Sequence, residues 1–170
     1  GLKCESVAAD LTTFVEGRQL DDDASIMIRM NENVKGNLSI SQIATGQENN
    51  FTISIYGEKG ALHWAQENPN YARFSQVGKA DQIITRGGAI QNENSYAPIR
   101  IPPGHPEGYL EGFAQIYSDA ADIILNYKNK NELLELLPGG DSGLQIMKFI
   151  NASVNSSNNN SIWTDLSSIK

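Results

Sequence analysis

Residues 104–113, GHPEGYLEGF, bring an imidazole, a carboxylate and a phenol together at His105, Glu107 and Tyr109, directly ahead of a run with helical periodicity. Imidazole and phenol both donate and accept hydrogen bonds, and histidine also moves a proton near neutral pH, so the cluster could hold a hydroxyl-rich ligand. A plainer reading competes. Proline suits the first helical position and an acid in the first turn is favoured by the helix dipole, so Pro106 and Glu107 can also be explained as a helix start. Arg18, in FVEGRQL, and Arg29 are the basic groups to watch, each also a candidate for an ordinary surface ion pair.

Other chemistries lack their residues. Neither GxGxxG nor GxxxxGKS/T occurs, and the pairs Gly87-Gly88 and Gly139-Gly140 do not continue either spacing, so no cofactor-binding residue is expected within the chain. His63 and His105 are the only histidines and no cysteine pair joins them, so a metal site is not expected. There is no GxSxG elbow, and Asp21, Asp22 and Asp23 lack the spacing of a calcium loop and read as a solvated turn. No catalytic residue is assigned.

The elements that must carry the cluster fall into two runs. From residue 2 to about 86 the pattern has the period of two that marks half-buried strands. Ile26, Ile28 and Met30 alternate with Ser25, Met27 and Arg29, NENVKG turns the chain, and Leu38 and Ile40 follow. GQENN and GEKG make the next turns, and connections this short favour antiparallel neighbours. The second face, with Ser25, Met27, Asn37, Ser39, Ser41, Ile43, Thr52, Ser54 and Tyr56, carries almost no charge. A second copy of the sheet or solvent could cover it. After a loop, Leu110, Phe113, Ala114, Tyr117, Ala121 and Ile124 form one helical stripe over residues 106–127. Leu144, Met147, Ile150 and Val154 form another, opened by Asp141 as N-cap and ended by SSNNN, and SIWTDL reads as a short last strand. Strands first and helices afterwards predict an α+β domain: an open, mainly antiparallel sheet with helices packed on one face and no internal boundary.

Composition narrows the partners. The chain has 170 residues, enough for one domain. Thirteen basic against twenty acidic residues give a net charge of −7 without a basic cluster, which argues against nucleic acid, and no apolar run approaches the ~20 residues of a membrane span. Cys4 is the one cysteine, so no disulfide is possible within the chain; the expectation is a buried, inert thiol and a cytoplasmic location. Asn-x-Ser/Thr triplets begin at Asn37, Asn50, Asn151, Asn155 and Asn159, which would matter only in a secretory pathway.

The segments VAADLTTFVEGRQLDDDASIMIRM, GNLSISQIATGQENNFTISIYGEKGALHW, GHPEGYLEGFAQIY and GLQIMKFINASVNSS, in that order, resemble the C-terminal domain of the Gfo/Idh/MocA oxidoreductases, the family of glucose-fructose oxidoreductase and inositol dehydrogenase. The resemblance implies an open sheet with helices on one side and homo-oligomers built through the other. It also implies a full-length enzyme whose N-terminal Rossmann domain binds NAD or NADP, and which transfers a hydride between nicotinamide and a sugar or polyol. Residues 1–170 would then be the substrate-binding and oligomerisation domain, inactive alone. The family's dinucleotide fingerprint, its catalytic Lys and its D-x-x-x-H motif match nothing here. Among matching positions His105, Glu107 and Tyr109 are implied to face substrate, and Arg18 less directly. FVEGR has Glu16 where relatives often have proline, and residues 126–141 are less family-like. A non-catalytic scaffolding module that uses the exposed sheet face is the alternative.

Overall fold

The computed structural model describes residues 1–88, 99–125 and 137–169. The chain divides into two compact units, Gly1–Gly46 with Pro138–Lys170, and Gln47–Leu137. Both are built on antiparallel strands, and the α+β class expected from the sequence holds.

In the first unit β1 (Cys4–Thr12), β2 (Asp23–Met30), β3 (Lys35–Ser41) and β8 (Thr164–Asp165) pair in the order β3-β2-β1-β8. The register places Val7 opposite Ile28, Ala9 opposite Ile26 and Ile26 opposite Leu38, so the alternation read from the sequence becomes one continuous apolar face. Helix α2 (Gly140–Asn158) lies on that face: Ala152 is fully buried among Val7, Ala9, Ala24 and Ile26, with Phe149 beside it. The outer face of these strands, with Ser25, Met27, Asn37 and Ser39, is exposed.

The helix does not use the stripe expected of it. Leu144, Met147, Ile150 and Val154 are all exposed, and the inward side is Phe149, Ala152, Ser153 and Ser156. Small side chains let the helix sit close, and the hydroxyls take over a role in the sheet. Strand β8 pairs β1 only at Ser6 and Val7, so the next outward N–H groups of β1 have no strand beside them. The N–H of Ala9 donates to Ser156 Oγ (2.9 Å) and that of Leu11 to Ser157 Oγ (3.0 Å), while Ser156 Oγ donates onward to the Ile162 carbonyl (2.7 Å). Buried main-chain donors need such partners. The N-cap is Gly139 rather than Asp141, which sits in the first turn, and the chain leaves the helix through Asn160 and Ser161 at positive φ.

In the second unit β4 (Thr52–Gly57), β5 (Gly60–Ala65), β6 (Tyr71–Gln76) and β7 (Gln82–Thr85) form a meander in chain order. Ile53 faces Trp64 and Ile55 faces Leu62 on one side, whereas Ser54 faces His63 on the other, where Ser54 Oγ and His63 Nδ1 lie 2.8 Å apart. A Cβ on Gly60 would stand 2.3 Å from the Ser75 carbonyl oxygen, so only glycine allows β6 to approach there. Helix α1 (Tyr109–Leu125) follows, and its expected end at Tyr127 lies outside the described residues. The α1 stripe is also exposed, Leu110 at 77% and Ile124 at 74%.

The antiparallel sheet expected from the sequence is present as two hydrogen-bonded ladders. No ladder joins β3 to β4. Residues 42–51 between them include Gly46 at φ +90° and Asn50 at φ +41°, conformations that take the backbone out of an extended path.

Candidate functional site

The His105 segment is shaped by a turn and by three side chains. Pro103 and Gly104 form a tight turn, with Gly104 at φ +87° and the His105 N–H donating to the Pro102 carbonyl at 3.3 Å, the arrangement favoured by a Pro-Gly pair. Asn70, in the turn before β6, then grips Glu107 by its main chain. Its Oδ1 accepts the Glu107 N–H (3.0 Å) and its Nδ2 donates to the Glu107 carbonyl (2.8 Å). These two bonds tie the Glu107 main chain to the turn before β6, and α1 begins at Tyr109, not at Pro106 as the sequence pattern suggests.

The first turn of α1 is closed by a different acid. Glu111 Oε2 accepts the Gly108 N–H at 2.8 Å, and this bond, ahead of the Glu111 N–H and the Arg100 and Arg86 charges, holds its carboxyl below the usual glutamate range.

Glu107 is engaged internally. Its Oε1 accepts the N–H groups of Arg100 (2.6 Å) and Ile101 (2.8 Å), and its Oε2 lies 3.2 Å from Arg86 Nη1. Arg86, just after β7, also donates from Nε to Asn70 Oδ1 (3.0 Å), from Nη1 to the Ile101 carbonyl (3.2 Å) and from Nη2 to the His105 carbonyl. The two charged side chains are 16% and 9% exposed. Asn70, Arg86 and Glu107 therefore bind together the turn before β6, the end of β7 and the approach to α1.

Beside this knot is a cleft of about 480 Å³ lined by Asn68, Asn70, Tyr71, Thr85, Arg86, Gly104, His105 and Pro106. Of the four expected site residues, His105 lines it. Glu107 stands behind Arg86. Tyr109, exposed, rests against Phe113 with ring centroids 4.7 Å apart. Arg18 belongs to the other unit, where its Nη1 lies 3.3 Å from Asp22 Oδ2. Arg29 lies over the Trp163 ring, 3.8 Å from its centroid.

Asp22 overturns the reading of its run as a solvated turn. Its side chain is buried, accepting the N–H groups of Phe14 (2.8 Å) and Val15 (3.0 Å), so it braces the loop of residues 13–22. The Phe14 N–H, then Val15 and the Arg18 charge, lower its pKa against the opposing pull of burial. Cys4 is half-buried, and burial, with Glu5, raises its pKa, as befits a quiet thiol.

Sequence reasoning missed Asn70 and Arg86. The usable signals were local: NPN marks a turn with amide side chains, and RGG places a guanidinium where β7 ends. A glycine pair judged only for phosphate binding concealed the arginine beside it.

Residues 1–63 match the family model of the GFO/IDH/MocA C-terminal domain. An oxidoreductase from Sinorhizobium meliloti is 44% identical over 96% of this chain and 47% of its own, with a TM-score of 0.89. The chain is similar to a GFO/IDH/MocA C-terminal domain. The uncharacterized oxidoreductase YfiI of Bacillus subtilis (strain 168) is 28% identical over 96% of this domain and 43% of its own length. An inositol dehydrogenase homolog from Azotobacter vinelandii, solved with NADH and myo-inositol, is 23% identical over 96% of the domain and 44% of its own chain, TM-score 0.86, a likeness of fold alone. The chain spans less than half the length of these relatives.

The start of α1 is closed by Glu111, and α2 carries Asp141 in its first turn, where an anion would meet a like charge. Among the described residues no group of three or more His, Cys, Asp or Glu could hold a metal ion, and no helix is long and apolar enough to cross a membrane.

Proposed function

We propose that this domain is the substrate-binding part of an NAD(P)-dependent oxidoreductase acting on a sugar or polyol, with the dinucleotide held by a Rossmann domain elsewhere in the full-length protein. The observation that carries the reading is the cleft lined by amide, hydroxyl and imidazole groups at His105, Tyr71, Asn68 and Asn70. Such groups pair with alcohol oxygens, which donate and accept in the same way.

In this reading His105 hydrogen-bonds a substrate hydroxyl from the cleft wall, and Glu107 holds that wall in place from behind. Tyr109, at the exposed start of α1, lies further out. The nicotinamide, when bound, exchanges the hydride with the alcohol carbon. The exposed stripes of α1 and α2 support a second body covering them, since large apolar patches left in water mark interaction sites. The outer sheet faces, with exposed Met27 and Tyr56, support self-association through two-fold pairing. The same exposure favours the second reading, a scaffolding module.

The test uses the full-length protein with NAD and NADP over a panel of sugars and polyols. Hydride transfer is expected, and His105→Ala should raise KM about 10-fold, near the loss of one hydrogen bond to the ligand. No turnover with any member of the panel would leave the scaffold reading standing, and turnover with a KM indifferent to His105 would remove His105 from the substrate site.

A further inference from the structure

The charge of the cleft is set by one pair. Among the described residues lining it, Arg86 is the sole side chain with a fixed charge, since the others are Asn68, Asn70, Tyr71, Thr85, Gly104, His105 and Pro106. An arginine in a cleft wall ordinarily selects an anion, because its planar fork matches carboxylate and phosphate oxygens. Here that capacity is already engaged. Glu107 Oε2 faces Nη1 at 3.2 Å, and Nε, Nη1 and Nη2 donate to Asn70 and to the carbonyls of Ile101 and His105. The carboxylate is held in turn by two main-chain donors, at 2.6 and 2.8 Å. Both partners are largely out of solvent, so water screens the pair weakly and neither can swing away to meet a ligand without leaving the other unpaired.

We propose that Glu107 is a specificity determinant: by neutralising Arg86 from behind the wall, it makes the cleft select uncharged polyols over their phosphate esters and over sugar acids. It acts through Arg86 and does not touch the ligand. Without Glu107 the same guanidinium would present to the cleft a positive charge that only the more distant Glu111 carboxylate offsets, and a phosphate or carboxylate would supply the missing counter-charge. The inference rests on the proposed function and adds to it the charge class of the substrate.

The experiment measures binding of myo-inositol, D-glucose, their monophosphates and D-gluconate to the full-length protein and to Glu107→Gln and Glu107→Asp. In the unaltered protein the neutral member of each pair should bind at least about 10-fold more tightly than its anionic counterpart. Glu107→Gln should shift that ratio toward the anion by about 10-fold or more, the weight of a charge-assisted hydrogen bond, and the gain should fade as salt is raised. Glu107→Asp, which keeps the charge, should hold the original preference. A purely structural role would weaken neutral and anionic ligands alike and leave the ratio unmoved, which would overturn the proposal. So would a preference for the anionic member in the unaltered protein, a comparison that needs no variant and so survives a failure of Glu107→Gln to fold. If neutral ligands bind and depend on His105 while the ratio ignores Glu107, this inference fails alone. If no member binds, the proposed function fails and takes this inference with it.

Discussion

The two units are held by different means. Every fully buried residue among those described lies in the first, where Val7, Ala9, Ala24, Ile26 and Ala152 close on one another beneath α2. The second has a regular four-stranded ladder and no fully buried residue among those described; it encloses a polar feature, the knot of Asn70, Arg86 and Glu107. One unit is organised by apolar burial, which is non-directional and tolerant of detail. The other depends on hydrogen bonds, which require particular atoms in particular places. A ligand-binding wall belongs naturally to the second kind, because local stability is lowest where apolar contacts are few.

The largest expected contrast comes from the same truncation made in each unit. Ile26 is 5% exposed on the core face, and Ile26→Ala should lower stability by ~2–4 kcal/mol through lost burial and a residual cavity. Ile55, 59% exposed on β4, should tolerate Ile55→Ala within ~0.5 kcal/mol. Urea titrations of the chain at several concentrations measure both. A cost at Ile55 that matches Ile26 and grows with concentration would mean that the second unit finds its core in an intermolecular contact, and the contrast would fail.

Ser156→Ala sharpens the comparison from inside the apolar unit. Ser156 is fully buried and links the Ala9 N–H to the Ile162 carbonyl, so its loss leaves a buried donor and a buried acceptor unpaired. The expected cost is ~1–3 kcal/mol, with faster hydrogen exchange at the Ala9 amide. An unchanged amide would show that a neighbour replaces the hydroxyl.

The same serine marks where sequence reading stopped. Alternation in β2 and β3 made the apolar face legible, because a strand's period is fixed by geometry and a shift by one residue would expose the whole face. The helix stripes misled. Apolar periodicity records which side is greasy, and in α2 the side that meets the sheet is the one with small residues and hydroxyls, Ala152, Ser153 and Ser156. His105 was legible by type, while Arg86 and Asn70 were not, since their partners lie far along the chain and depend on the path of the meander. Glu107 was singled out for chemistry, and its carboxylate turns out to satisfy main-chain donors that no local pattern announces.

The smallest effect concerns the one buried carboxylate of the first unit. Asp22 has its pKa lowered from 3.8, first by the Phe14 N–H and then by Val15 and Arg18. A proton therefore binds the unfolded chain before it binds the folded one. The stabilisation is fully present above 3.8 and is lost as the pH falls from there through the lowered folded value. Thermal melts of the chain across that acid range should show a decline in Tm that Asp22→Asn, already uncharged and less stable at neutral pH, does not share to the same degree. Equal slopes for Asp22→Asn and the unaltered chain would assign the acid sensitivity elsewhere and remove the brace on residues 13–22 as a source of the first unit's stability.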